Sequence, residues 1–312
     1  MRACIAVMVD ALAAHARGEL QHPLRTIFRP SDAAAFMGLM PAYRANAPAL
    51  FGLKAICISH DNPARGLDAH QGGVLLFDGT TGVPCALLNA STITAIRTAA
   101  VSGVATDLLA RADACELAIV GAGVEARTHL EAIACVRPIR RARIIARRSE
   151  SARAFAAELQ ARYTFPLEPL TNVAEALSGA DLIVTATNAR EPVLRREWVA
   201  AGAHINAVGS CTPTTRELDT ATIAAAKLFV DSRESALNEA GDILLAVKEG
   251  ATSAAHICAE LGEVLTGAAC GRTAPEEITI FESLGLAAED LAAAAYVYQQ
   301  AQAAGAGTWV EF

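Results

Sequence analysis

The feature that most constrains this chain is a turn of the form GxGxxA, Gly121-Ala122-Gly123-Val124-Glu125-Ala126, directly after the apolar run Leu117-Ala118-Ile119-Val120. A strand that enters a helix through such a turn has a defined chemistry. The first glycine permits the tight turn, the second lets the backbone approach a pyrophosphate, and the small Ala126 lets helix pack closely on strand. The helix N-terminus then offers unsatisfied N–H groups and a favourable dipole to phosphate. Gly-rich strand-to-helix turns occur in many folds, so context decides. Here a second buried strand follows at 142–146 and a helix at 149–161. Gly121, Gly123, Val124 and Glu125 are therefore candidate contacts of a nicotinamide dinucleotide.

The alternation continues. Short apolar strands at 182–185, 204–208 and 228–230 are separated by helical stretches, which implies parallel β-α-β units and a sheet covered on both faces. The flanks read differently. Ile5, Met8, Val9 and Leu12 recur at helical spacing and Asp10 interrupts the apolar stretch, so the start reads as a core-facing helix rather than an export signal. Apolar runs at 74–77 and 85–88 enclose the turn Asp78-Gly79-Thr80-Thr81-Gly82 and predict a β-hairpin. A helix at 98–111 connects two domains, a second helix spans 288–304, and 308–312 reads as a last strand. The expected fold class is α/β: a Rossmann-type parallel-sheet domain over 111–289, and a discontinuous α+β domain built from 1–110 and 290–312.

Composition narrows the function. The net charge of the 312 residues is −7, with Lys and Arg scattered, which disfavours nucleic acid and anionic membranes as partners. No apolar run reaches bilayer length. The eight cysteines form no CxxC pair, so they read as reduced thiols in a cytoplasmic protein. No HExxH or comparable cluster points to a metal.

The end of the second strand bears on the cofactor. NAD-binding proteins tend to place an acid there, on the ribose hydroxyls. This chain has Ala146-Arg147-Arg148-Ser149. Two guanidinium groups and a hydroxyl suit a 2′-phosphate, so NADPH is the expected cofactor, with NADH the alternative. A solvated basic turn is the competing reading of Arg147, Arg148 and Ser149.

Several segments outside the glycine turn resemble the ornithine cyclodeaminase/μ-crystallin family. They are Pro23-Leu24-Arg25-Thr26, Gly38-Leu39-Met40-Pro41-Ala42-Tyr43, Gly52-Leu53-Lys54, Arg97-Thr98-Ala99-Ala100, 204–210 with Arg216-Glu217-Leu218-Asp219, 230–234, and Phe281-Glu282-Ser283-Leu284-Gly285 with Glu289-Asp290-Leu291. They run through nearly the whole chain in the family's order. The family's layout places a short strand ahead of the helix that begins here at Met1. The resemblance implies that the discontinuous domain binds substrate and forms a homodimer, and that substrates are small amino acids or their cyclic imines. It also implies that Arg25 and Arg97 clamp an α-carboxylate. Each arginine alone reads better as a surface or domain-interface ion pair; the two family matches together favour a bidentate carboxylate clamp.

Lys54 lies in an apolar, strand-like setting and reads as a carboxylate ligand, as a proton donor to nitrogen, or as a snorkelling edge-strand lysine. The resemblance favours function. The candidate cofactor contacts are completed by Thr98, Thr187, Asn188, Val208 and Ser283. His60 and His70 flank a loop near the expected site, and His204 precedes a strand. One position departs from the family: cyclodeaminases carry a catalytic Asp where this chain has Cys211, and a thiol is a poor substitute for a carboxylate base. The expected activity is thus NAD(P)H-dependent reduction of a cyclic imino acid, pyrroline-2-carboxylate or piperideine-2-carboxylate. An amino-acid deaminating enzyme and a non-catalytic ligand-binding protein are the alternatives.

Overall fold

The computed structural model describes residues 1–46, 48–59 and 61–311. The chain begins with α1 (Arg2–Ala16), then β1 (Leu20–Gln21), β2 (Thr26–Phe28), β3 (Phe36–Arg44), β4 (Leu50–Ile58), β5 (His70–Asp78) and β6 (Pro84–Asn89), and enters α2 (Ala90–Leu109). It continues through β7 (Glu116–Val120), α3 (Val124–Val136), β8 (Arg141–Ile145), α4 (Ser149–Leu159), β9 (Leu167–Leu170), α5 (Val173–Leu177), β10 (Leu182–Thr185) and β11 (His204–Ala207). The remainder is α6 (Thr220–Ala225), β12 (Lys227–Val230), α7 (Arg233–Glu239), α8 (Gly241–Lys248), β13 (Ile257–Glu260), α9 (Leu261–Leu265), β14 (Thr279–Glu282) and α10 (Ala287–Ala304). The fold is mixed α/β, with one parallel and one antiparallel sheet. Two compact units result: Met1–Ile5 with Thr98–Leu284, and Ala6–Arg97 with Gly285–Phe312.

The larger unit holds eight parallel strands in the order β13-β12-β14-β11-β10-β7-β8-β9. Alternate residues of β7 enter opposite cores: Leu117 and Ile119 join Leu130, Ile133 and Phe155, while Ala118 and Val120 join Ile183, Ile205 and Ile280. That double burial is why the strand reads as a continuous apolar run. From β7 the chain runs outward to β8 and β9, then returns to β10 on the other side. The order reverses between β7 and β10, the kind of crevice in which open α/β sheets bind ligands. β9 carries Pro169 and Glu168, which hid it from sequence patterning. It lies at the sheet edge, where a residue lacking an N–H is tolerated.

The smaller unit is a six-stranded antiparallel sheet. β1, β3, β4, β5 and β6 follow one another, and β2 also pairs with β3. The expected hairpin is present but longer, as β5 and β6. Asp78 Oδ1 closes its turn by accepting from the Thr80 and Thr81 N–H groups at 3.0 and 2.7 Å. α10 packs across β3, β4 and β5 on one face, over Met40, Ala42, Val74 and Leu76. The opposite face is also apolar. One cross-strand row reads Pro41, Leu53, Leu75, Leu87 and the next Tyr43, Phe51, Phe77; Phe51 and Leu87 are 47% and 70% exposed.

Two expectations are corrected. α2 begins at Ala90, not 98. Asn89 Oδ1 accepts from Thr92 N–H at 2.9 Å and caps it. The β-branched Thr92, Ile93, Thr94 and Ile96 weaken the helical signal of these first turns; burial of Ala90, Ile93 and Ala95 overrides that preference. The last strand does not form over 308–311, where Trp309 is 88% exposed and pairs with nothing among the described residues; Phe312 lies outside them. Among the described residues no helix is long and apolar enough to cross a membrane.

Candidate active site

The first group of functional side chains gathers where strands of the parallel sheet end. Gly121 and Gly123 follow β7, Arg147 and Arg148 follow β8, Thr187 and Asn188 follow β10, Val208 follows β11, and Ser283 follows β14. Gly121 has φ +133°, and a Cβ there would collide with the Ala186 carbonyl oxygen, so this turn needs glycine. Gly123 is the N-cap of α3. No side chain caps that helix, and a Cβ at Gly123 would meet nothing, so the leading N–H groups face open space. That arrangement fits a dinucleotide phosphate. Arg127 braces the turn, donating to the carbonyls of Ala122 and Gly123 at 2.5 and 3.1 Å while Glu158 holds it at 2.9 Å.

Val124 is exposed and Glu125 half-buried at the head of α3. Arg147 and Arg148 are exposed, with no side-chain hydrogen bond or ion pair among the described residues; Ser149 donates to Glu150 at 3.1 Å and accepts from Arg153 at 3.0 Å. Thr98 and Val208 are buried, and Asn188 is exposed. The Ser283 hydroxyl is buried and has no partner among the described residues, a donor left for a ligand. Glu217 joins the loops after β10 and β11 by accepting from Thr187 N–H and Gly209 N–H, both at 2.7 Å. Burial pushes the Glu217 carboxyl above its ordinary range. Burial, with Glu217 beside it, pushes Asp242 up to about 8. Glu282 is raised well above its ordinary range by burial, then by Asp242, Glu217 and Asp231.

The second group lies within the smaller unit. Lys54 projects from the middle of β4 and is 2% exposed; its Nζ lies 2.5 Å from Asp290 Oδ2 and 3.4 Å from Thr94 Oγ1. Arg97, 4% exposed, donates from Nε to Asp290 Oδ1 at 2.8 Å and from Nη1 to Glu289 Oε2 at 2.9 Å. Arg25, between β1 and β2, donates from Nη2 to the Gly285 carbonyl at 2.9 Å. Gly285 has φ +77°, and any side chain there would run into the Arg97 guanidinium. All three cations are therefore held by one short stretch, 285–290. Burial draws the Lys54 ammonium down to about 8; Asp290 works to raise it, while Arg97 and Arg25 lower it. Burial alone would raise the Asp290 carboxyl, but Arg97 and Lys54 outweigh it and keep it below the ordinary range.

Lys54 and Arg97 are buried against the carboxylates of Glu289 and Asp290, and Arg25 is half-buried in the same unit. Cations gathered in this way could receive a substrate carboxylate. Glu289 and Asp290 received no role from the sequence. Adjacent acids opening an Ala-rich helix look like dipole-favoured surface residues; their complete burial is the part that the pattern does not display.

The remaining expectations separate. His60 lies outside the described residues. His70 is half-buried at the start of β5, where its carbonyl accepts from Ser91. His204 opens β11 fully buried beside Thr279 Oγ1 at 2.9 Å, and burial, then Arg272, push it down to about 3. The Cys211 thiol is partly buried, 3.5 Å from the Val208 carbonyl. Its packing is against the core beside β11, and none of the eight cysteines forms a disulfide.

A family model, "Ornithine cyclodeaminase/mu-crystallin family", matches residues 1–305. A Delta(1)-pyrroline-2-carboxylate reductase of Bacillus cereus is 42% identical over 291 residues, 93% of this chain and 89% of its own. The ketimine reductase mu-crystallin of Mus musculus is 44% identical over 282 residues, 90% of this chain and 85% of its own. Among solved structures, Thermococcus litoralis Delta(1)-pyrroline-2-carboxylate reductase in complex with NADH and L-proline superposes with a TM-score of 0.95. It is 39% identical over 98% of this chain and 95% of its own.

Proposed function

This chain belongs to the ornithine cyclodeaminase/mu-crystallin family, and on that footing we propose that it is a nicotinamide-dependent reductase of a cyclic imino acid, pyrroline-2-carboxylate or piperideine-2-carboxylate. Named reductases of such imines at 42–44% identity support the activity. The observation that carries it is the gathering of Arg25, Lys54 and Arg97 around the stretch 285–290. A small anionic substrate suits three cations placed in this way.

Arg25 and Arg97 hold the carboxylate and so fix which face of the ring is presented. Lys54, desolvated and near neutrality in its protonation, passes a proton to the ring nitrogen. When bound, the reduced dinucleotide supplies the hydride that the imine carbon receives. Gly121, Gly123, Val124 and Glu125 seat its phosphates at the head of α3, with Thr98, Thr187, Asn188, Val208 and Ser283 completing the contacts. Arg147, Arg148 and Ser149 take the 2′-phosphate, making NADPH the preferred donor over NADH. An iminium accepts hydride readily, so Cys211 in place of a carboxylate base is no obstacle to reduction.

The uncovered apolar rows of the antiparallel sheet support a homodimer, since a contiguous exposed face of this kind marks a protein partner. Eight thiols without a disulfide suit the cytoplasm. The test is NADPH oxidation at 340 nm with each imine, NADH alongside. Rapid oxidation with either ring is expected. Tight NADPH binding without turnover of either would transfer the assignment to a deaminase or a binding protein.

A further inference from the structure

Asp290 holds two of the three cations. Oδ1 accepts from Arg97 Nε at 2.8 Å, and Oδ2 lies 2.5 Å from Lys54 Nζ. It stands in the first turn of α10, where the helix dipole favours a negative charge. Its neighbour Glu289 is occupied elsewhere: Oε2 accepts from Arg97 Nη1 at 2.9 Å and from Leu286 N–H at 3.1 Å. The charged groups around Lys54 among the described residues come from three elements. Asp290 and Glu289 come from α10, Arg97 from α2, and Arg25 from the segment before β2; Thr94 on α2 adds a neutral hydroxyl. Burial and both arginines disfavour the ammonium, and Asp290 opposes them.

We propose that Asp290 is a positioning residue for proton transfer: one carboxylate oxygen clamps Arg97 and the other clamps Lys54, so that Lys54, not water, delivers the proton to the imine nitrogen. This rests on the reductase reading and deepens it. In the step, the C=N π pair moves to nitrogen and takes the Lys54 proton, while the carbon gains a hydride from the reduced dinucleotide. Lys54 is left neutral and regains its proton from water; one C–H and one N–H bond have formed. Arg97 keeps its grip on Glu289 throughout, so the carboxylate clamp and the proton donor are set by the same two adjacent acids.

The experiment is the pH dependence of kcat and KM for the imine in wild type, Asp290→Asn and Lys54→Arg, with thermal midpoints as a check of folding. Wild-type kcat is expected to fall as pH rises through about 8, because the donor must be protonated. In Asp290→Asn the ammonium loses the charge that favours it. Its basic limb then moves down by about one pH unit or more and kcat falls about 10²-fold, with KM changed less than about threefold. Lys54→Arg, which stays charged, loses the limb. An Asp290→Asn enzyme whose kcat drops with the limb unmoved has lost only structure, and the proposal falls. A wild-type profile flat from pH 7 to 10 overturns it without any variant, should Asp290→Asn not fold. A wild type inactive on both imines sinks the reductase reading itself and this proposal with it, whereas an active but flat wild type sinks this proposal alone.

Discussion

On the proposed reading, the two units would hold a charged ligand in opposite ways. In the larger unit the glycine turn offers backbone N–H groups and a helix end that no side chain caps. In the smaller unit the Gly285 carbonyl and the Leu286 N–H take part, but the main contacts of Lys54 and Arg97 are ion pairs with buried carboxylates. Backbone recognition is insensitive to most side-chain changes but intolerant of a Cβ at one point. Side-chain recognition fails whenever a single charge is removed, because the rest are left uncompensated in low dielectric.

The comparison is broken most severely at Arg97. Arg97→Ala strands Glu289 and Asp290, and is expected to cost about 3–5 kcal/mol in urea denaturation and most of kcat/KM for the imine. A loss under about 1 kcal/mol would mean that the cluster is hydrated and that the contrast drawn above is wrong. Next is Gly121→Ala. Positive φ and the Ala186 carbonyl predict about 1–3 kcal/mol of strain and weaker dinucleotide binding by fluorescence, with the basic limb of Lys54 unmoved. Should that limb shift, the two recognition modes are coupled rather than separate.

The difference explains what was legible. The glycine turn could be read because backbone recognition is written in consecutive residues, Gly121 to Ala126, and strand double burial is written as the run Leu117 to Val120. The cation cluster is written across 236 and 193 positions of separation, from Lys54 and Arg97 to Asp290, and no local period marks it. Arg25, Lys54 and Arg97 were singled out only through their resemblance to family segments; their counter-charges lay within a quoted segment without a role. β14 was missed as a strand for a related reason. It inserts between β11 and β12 although it follows both in sequence, so neighbour order gave no cue.

Smaller effects sharpen the picture. Arg147→Ala with Arg148→Ala should lower the NADPH-over-NADH preference about tenfold, near 1.4 kcal/mol, without changing the melting temperature, as both side chains are exposed. An unchanged ratio of kcat/KM values would identify a solvated basic turn. Smallest is Glu282→Gln. A carboxyl raised by burial and by Asp242, Glu217 and Asp231 contributes stability that is complete below its unfolded value and lost as pH rises toward the folded one. The variant should therefore melt slightly higher than wild type at pH 8, by about 1 kcal/mol or less, and not at pH 4. A lower midpoint at pH 8 would make Glu282 a needed anion instead.

The stretch at 285–290 has a consequence for the making of the protein. Lys54 and Arg97 leave the ribosome long before Asp290 is joined to the chain; at about 5–20 residues per second, the 193-residue gap between Arg97 and Asp290 amounts to about 10–40 seconds. Throughout that interval the nascent β4 and α2 carry cations whose partners do not yet exist. The larger unit ends at Leu284, so all of it has been synthesised before Gly285 is added, and it is free to fold first. The cluster is thus among the last parts of the molecule to be completed, and a message truncated about 25 codons early would leave Lys54 and Arg97 without the carboxylates of Glu289 and Asp290.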